Sequence, residues 1–117
     1  MKYIKKKLTI EKASIQNIAA RFGTPTYCYS YNQLKENINN FKKNFKSFSP
    51  LICFAVKSNT NTNLIKEIRK LGLGADVVSL GELMMALKAG IDPKKIVFSG
   101  VGKTSEEIAY AIDSKIL

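Results

Sequence analysis

The stretch Leu51-Ile52-Cys53-Phe54-Ala55-Val56 decides the fold of this chain. It contains no charged residue, and Ser49-Pro50 precedes it while Lys57 follows it. A short continuous apolar run suits a strand that is buried on both faces, as the strands of parallel sheets are. We therefore predict a parallel β-strand over Leu51–Val56 that ends at Lys57.

Two further strand candidates, Ala75–Val78 and Ile96–Phe98, follow at intervals of about 20 residues. The apolar residues after each strand candidate recur at helical spacing: Leu64, Ile65, Ile68 and Leu71; Leu83, Met84 and Leu87; Ile108, Ala111 and Ile112. Helices between strands force crossover connections, which make the sheet parallel. The prediction is an α/β fold in which residues 31–117 form the first three strand–helix units of an incomplete (β/α) barrel.

Before the first apolar run, the pattern predicts two helices and one strand. The first helix covers Ser14–Phe22 and ends at Gly23. Thr26–Tyr29 is a short run of strand-favouring residues. A second helix begins after Ser30, because Gln33 stands three residues later in the pattern of a capping box.

Composition excludes several classes of function. The net charge is +10, but the basic residues are nearly all lysine and are spread along the chain, so a concentrated nucleic-acid footprint is not expected. With no histidine and only Cys28 and Cys53, the chain cannot supply the four ligands of a structural zinc site, and no metal is expected. No stretch is apolar enough to span a membrane, and no secretory signal follows the basic start, so a soluble, cytoplasmic protein is expected.

Lys57 is the first candidate for chemistry. In parallel α/β proteins the functional residues gather where the strands end. Partial burial of a lysine at that point would lower its pKa and favour the neutral amine that attacks an aldehyde. The alternative is that Lys57 only marks where the strand emerges into water.

Two carboxylates lie near the ends of the later strands. Asp76 falls within a strand candidate, where aspartate is uncommon, so it needs a positive partner or hydrogen bonds. Glu82 follows Ser79 with the spacing of a capping box and could simply close a helix N-terminus. Thr104–Glu107 shows the same spacing.

Two glycine-containing segments do not fit nucleotide-binding motifs. Gly100–Thr104 resembles the end of a P-loop, but Val97 stands where that motif requires glycine. Gly72-Leu73-Gly74 precedes a strand candidate, whereas the dinucleotide fingerprint follows one. Both segments are interpreted as turns.

Four segments, taken in order and at matching separations, resemble the barrel-type family of pyridoxal-phosphate decarboxylases. They are TPTYCYS at 24–30, FAVKSN at 54–59, GADVVSLGEL at 74–83 and IVFSGVGKT at 96–104. The last two segments are most similar to the diaminopimelate decarboxylases of that family.

The resemblance implies a TIM-like (β/α)8 barrel of which this chain is the N-terminal part, with residues 1–30 joining a C-terminal β-domain. It implies that pyridoxal 5'-phosphate is bound covalently by Lys57, that Asp76 lies near the Lys57 nitrogen, and that Glu82 braces it. The implied reaction is the decarboxylation of meso-2,6-diaminopimelate to L-lysine and carbon dioxide by a homodimer. The family's other cofactor contacts fall beyond residue 117, so we expect residues 1–117 alone to be inactive.

Three alternatives remain open at this point. One is a related decarboxylase that acts on ornithine, arginine or carboxynorspermidine, since the residues that set specificity lie mostly downstream. Another is a non-catalytic pyridoxal-phosphate carrier. The third is a basic nucleic-acid-binding domain, whose affinity would depend strongly on salt.

Overall fold

The computed structural model describes residues 1–117, which divide into two compact units, Met1–Phe45 and Lys46–Leu117. The first unit contains strands β1 (Lys2–Ile4), β2 (Lys7–Ile10) and β3 (Ala13–Ser14) and helices α1 (Ile15–Phe22) and α2 (Tyr31–Asn44). The second contains strands β4 (Cys53–Ala55), β5 (Gly74–Val77) and β6 (Ile96–Phe98) and helices α3 (Thr62–Lys70), α4 (Leu80–Lys88) and α5 (Ser105–Asp113).

The first unit begins with an antiparallel sheet in the order β1-β2-β3, which the sequence did not predict. Ile4 pairs with Lys7, so Lys5 and Lys6 form a two-residue turn in which φ is 48° and 63°. Two positive φ angles match the twist of a tight hairpin, but asparagine and glycine are the usual residues there. A Lys-Lys turn therefore carries no sequence signal for the hairpin that it makes.

The two predicted helices of this unit are confirmed as α1 and α2. Ser30 caps α2 by accepting a hydrogen bond from the Gln33 N–H. Glu11 adds a second cap, because its Oε1 accepts the Asn32 N–H at 2.8 Å and the Ser30 hydroxyl at 2.7 Å. These contacts, led by the Asn32 N–H, lower the pKa of the Glu11 carboxyl.

The strand predicted over Thr26–Tyr29 is wrong. These residues form no strand, because no neighbouring strand pairs with them. Strand-favouring residues do not make a strand without a partner for their backbone hydrogen bonds.

The second unit is a parallel sheet in the order β4-β5-β6, and a helix follows each strand. This confirms the predicted succession of three strand–helix units. The apolar run at 51–56 forms a shorter strand than predicted, since only Cys53–Ala55 find partners in β5. The chain then enters a 3-10 turn over Val56–Ser58, closed by the hydrogen bond from Asn59 N–H to the Val56 carbonyl at 3.0 Å.

Residues opposite one another in a parallel sheet lie on the same face. The pairing therefore shows which residues lie on the face covered by helices and which lie on the opposite face. Ala75, the partner of both Phe54 and Ile96, lies on the face covered by helices. Asp76 pairs with Ala55 and Val97 on the other face. The fully buried core side chains are Val56, Ile65, Ile68, Val77, Leu83 and Ile96. Burial of each contributes about 1.5–3 kcal/mol to stability.

None of the five helices combines the length and the apolar character that crossing a bilayer requires.

Gly74 lies at the start of β5, where the sheet leaves no room for a side chain. A Cβ added there would collide with the backbone carbonyl oxygen of Lys95 and would stand 3.0 Å from the Cys53 Sγ. The Lys95 carbonyl cannot move aside without disturbing the entry into β6. Close approach of two strands therefore requires glycine at position 74.

We expect Gly74→Ala to lower the free energy of unfolding by about 3 kcal/mol or more, because overpacking against backbone cannot relax through a rotamer change. Urea denaturation measures the loss. Gly102→Ala is the matched control, since no atom lies within 4 Å of its added Cβ and its φ is not positive. Equal losses in the two variants would contradict this account of Gly74.

Candidate functional site

Three loops meet at the carboxyl edge of the parallel sheet, because parallel strands all end on the same side. The turn with Lys57 follows β4, the segment Val78-Ser79 follows β5, and residues 99–104 follow β6. The predicted site residues Lys57, Asp76 and Glu82 all belong to this edge.

The Lys57 side chain is exposed, contrary to the expected partial burial. The strand stops at Ala55, so Lys57 lies in the turn beyond Val56, the last fully buried residue. Its amine forms no hydrogen bond and no ion pair, while the turn beneath it is fixed by the hydrogen bond from the Ser58 hydroxyl to the Ala55 carbonyl at 2.7 Å. The structure thus places an amino group that has no protein partner on an ordered turn.

Asp76 finds its partner in Ser99, which the sequence did not single out. The Ser99 hydroxyl donates to Asp76 Oδ1 at 2.6 Å, a length typical of a strong bond to a carboxylate. The Ser99 N–H also donates to the Val77 carbonyl at 2.9 Å and extends the β5–β6 pairing by one step. The available signal was alternation: Val97 pairs with Asp76, so Ser99 falls on the same face.

Lys57 and Asp76 do not form an ion pair with each other, in contrast to Lys70 and Glu67, which lie 2.7 Å apart. The two side chains are therefore not in direct contact. That Asp76 lies near the Lys57 nitrogen in the site stays a prediction. A hydrogen bond, the second of the two possibilities expected for Asp76, stabilises the carboxylate.

Cys53 lies on the same sheet face and is not suited to nucleophilic chemistry. Burial raises the pKa of its thiol, and the negative charge of Asp76 raises it further. A thiol with a raised pKa remains protonated near neutral pH and reacts slowly. Its Sγ lies 3.8 Å from the Lys95 carbonyl oxygen, to which it donates.

Glu82 closes the N-terminus of α4, as the capping interpretation predicted. Ser79 Oγ accepts the Glu82 N–H at 3.3 Å. The Glu82 carboxylate does not return to the Ser79 N–H; its Oε2 accepts the Val78 N–H at 3.0 Å instead. Glu82 therefore fixes the end of β5 two residues after Asp76, while its predicted action on Lys57 is untested.

Glu107 joins two of the three loops. It forms the predicted capping box at the start of α5: its Oε2 accepts the Thr104 N–H at 2.9 Å, and Thr104 Oγ1 accepts the Glu107 N–H at 3.2 Å. Its Oε1 accepts the N–H of Leu80, the first residue of α4, at 3.0 Å. The second bond links residues 27 positions apart, which no local pattern could indicate.

The Thr104 N–H, followed by that of Leu80, lowers the pKa of the Glu107 carboxyl, and Lys103 adds a smaller contribution of the same sign. Both hydrogen bonds favour the ionised Glu107 carboxylate, so both are present in the folded protein at neutral pH.

We expect Ser99→Ala and Asp76→Ala each to lower the free energy of unfolding, with a coupling of about 1.5–3 kcal/mol between them, the range for hydrogen bonds to charged groups. A double-mutant cycle by urea denaturation measures this coupling. A coupling near zero would contradict the Asp76–Ser99 contact.

Because the folded protein holds the Glu107 pKa below its unfolded value, stability from this group is present above about pH 4.3, the ordinary glutamate pKa, and is lost as pH falls through the folded pKa. We expect Glu107→Gln to be less stable than the parent protein near pH 7, with a difference that shrinks as pH falls below about 4. Thermal unfolding across pH measures it. Glu106→Gln, an exposed neighbour without a hydrogen bond, controls for the lost charge. A difference independent of pH would contradict the assignment.

Comparison with known proteins identifies the family of the chain. Residues 31–117 match the family model described as pyridoxal-dependent decarboxylase, pyridoxal binding domain. The diaminopimelate decarboxylase of Aquifex aeolicus is 49% identical over 117 residues, which are 100% of this chain and 27% of that protein. The chain thus spans about a quarter of the length of the curated relatives that it matches.

Solved structures show the same relation. The diaminopimelate decarboxylase from M. jannaschii in complex with L-lysine superposes with a TM-score of 0.90 at 38% identity, covering 94% of this chain and 27% of that one. The Helicobacter pylori diaminopimelate decarboxylase, also complexed with L-lysine, gives a TM-score of 0.82 at 42% identity, covering 86% and 26%. The edge that carries Lys57, Asp76 and Glu82 is therefore part of a known fold, and the chain belongs to the family of pyridoxal-dependent decarboxylases, within their pyridoxal-binding domain.

Proposed function

We propose that the full-length protein containing this chain decarboxylates meso-2,6-diaminopimelate to L-lysine and carbon dioxide, with pyridoxal 5'-phosphate as cofactor. The observation that carries the proposal is the unpartnered amine of Lys57 at the carboxyl edge of the sheet, in a chain that belongs to a pyridoxal-binding family. Asp76 and Glu82 supply carboxylates at the same edge.

Lys57 fits covalent attachment of the cofactor better than the other lysine of this edge. The Lys103 ammonium donates to the Gly100 carbonyl at 2.6 Å and lies 5.2 Å from the centre of the Phe98 ring. Those contacts occupy the Lys103 ammonium and must break before it can react. Lys57 has no such contacts, so its amine is free to condense with an aldehyde.

The cofactor supplies the electron sink for the pair of electrons left when carbon dioxide departs. The residues of this chain orient what binds at the edge. Ser99 donates a hydrogen bond to one oxygen of Asp76 and so fixes the orientation of that carboxylate at the carboxyl edge of the sheet. Glu82 holds the loop after β5 through the Val78 N–H.

The substrate is proposed from the relatives. Both solved structures described above are named diaminopimelate decarboxylases and contain L-lysine, the proposed product. Ornithine, arginine or carboxynorspermidine as substrates, and a pyridoxal-phosphate carrier without activity, are the alternatives that an assay must separate.

We propose from the family resemblance that the full-length protein is a cytoplasmic homodimer and that residues 1–30 join a C-terminal β-domain. Residues 1–117 alone should show no turnover, because the resemblance assigns the remaining cofactor contacts to later segments.

We expect Lys57→Ala in the full-length protein to abolish covalent trapping of pyridoxal phosphate by borohydride and to lower kcat at least about a thousandfold, the scale on which loss of a covalent group acts. Lys66→Ala removes another exposed lysine, from α3, and should keep the trapped cofactor. Retention of trapped cofactor by Lys57→Ala would refute the assignment.

The substrate is tested by release of carbon dioxide from meso-diaminopimelate, ornithine and arginine in parallel. We expect the highest kcat/KM with meso-diaminopimelate. A preference for another substrate would correct the specificity, while bound cofactor without release of carbon dioxide from any substrate would favour the carrier.

A further inference from the structure

Three hydrogen bonds join β5 and the start of α4 to the residues that follow β6. The Ser99 hydroxyl binds Asp76, the Ser99 N–H binds the Val77 carbonyl, and the Leu80 N–H binds Glu107. The first two bonds lie beside the strands. The third connects the first turns of α4 and α5 and is the point at which the two helix starts are held together.

Glu107 does more than its own helix requires. A capping box needs one carboxylate oxygen on the N-cap N–H, and Oε2 supplies it at Thr104. Oε1 is left for the Leu80 N–H, an unsatisfied donor at the start of a different helix. Glutamine could not accept both donors, since its amide nitrogen would face one of them.

Leu80 is connected to the residues of the proposed site through its neighbours in the chain. Ser79, the residue before it, caps α4, and Glu82, two residues after it, holds the Val78 N–H. Val78 follows the strand that carries Asp76. We expect a shift of Leu80 to move Glu82, which lies in the same helical turn, and to disturb the end of the strand that carries Asp76 through the Val78 N–H.

We propose that Glu107 is a positioning residue: its hydrogen bond to the Leu80 N–H holds the β5–α4 loop against the β6–α5 loop and keeps Asp76 and Glu82 where the cofactor binds. This inference rests on the proposed pyridoxal-phosphate function. Loss of the bond should raise the Kd for pyridoxal phosphate by roughly threefold to tenfold, the scale of one ordinary protein hydrogen bond. The absorption spectrum of the bound cofactor should also change.

Leu80→Pro in the full-length protein tests the bond with little other disturbance. Proline lacks the N–H and is favoured at the first position of a helix. Ser79, with φ −150° and ψ 162°, already has the extended conformation that a residue before proline adopts. Leu80→Ala is the matched control, because it shortens the same side chain and keeps the N–H.

We expect Leu80→Pro to bind pyridoxal phosphate threefold to tenfold more weakly than Leu80→Ala. Glu107→Gln should show the same loss relative to Glu106→Gln, and the Leu80→Pro/Glu107→Gln double variant should lose no more than the larger single loss. If Leu80→Pro fails to fold, the comparison of the two glutamate variants decides in the same way.

Equal Kd values and equal cofactor spectra within each pair would overturn the inference, even if the variants melt at lower temperature, because a purely structural contact lowers the melting temperature alone. A parent protein that binds no pyridoxal phosphate would refute the proposed function and this inference with it. A parent protein that binds the cofactor while its variants bind equally well would refute this inference only.

Discussion

The central strand β5 is paired on both edges with parallel neighbours, and the rest of the second unit depends on that pairing. Parallel neighbours require a crossover after each strand, so α3 and α4 must connect them. The helices then bury Ala75 and Val77 completely on one face. Since all three strands end on the same side, the turn with Lys57 and the two following loops are brought to a single edge.

That edge is held by carboxylates that accept backbone N–H groups. Glu82 and Glu107 fix the loops after β5 and β6, and neither forms an ion pair. Within the first unit, Glu11 caps α2 in the same manner from a turn elsewhere in the chain. Helix N-termini carry unsatisfied N–H groups and a partial positive charge, so a carboxylate there stabilises both the helix and the neighbouring segment.

The sequence predicted what depends on local pattern. The strands at Gly74–Val77 and Ile96–Phe98, the helices between them and the Thr104–Glu107 capping box were all readable from spacing. It did not show contacts between distant residues, such as Ser99 with Asp76. The prediction that Lys57 is partly buried was also wrong. The length of a strand is set by the available partner residues, and β4 ends two residues before the lysine.

We propose that Lys57 is the lysine that binds pyridoxal phosphate. The most direct measurement is to reduce the full-length protein with borohydride in the presence of pyridoxal phosphate, digest it and locate the modified lysine by mass spectrometry. We expect the adduct on Lys57, whose amine has no partner in the structure. An adduct on Lys103, or on any lysine away from the carboxyl edge of the sheet, would contradict it.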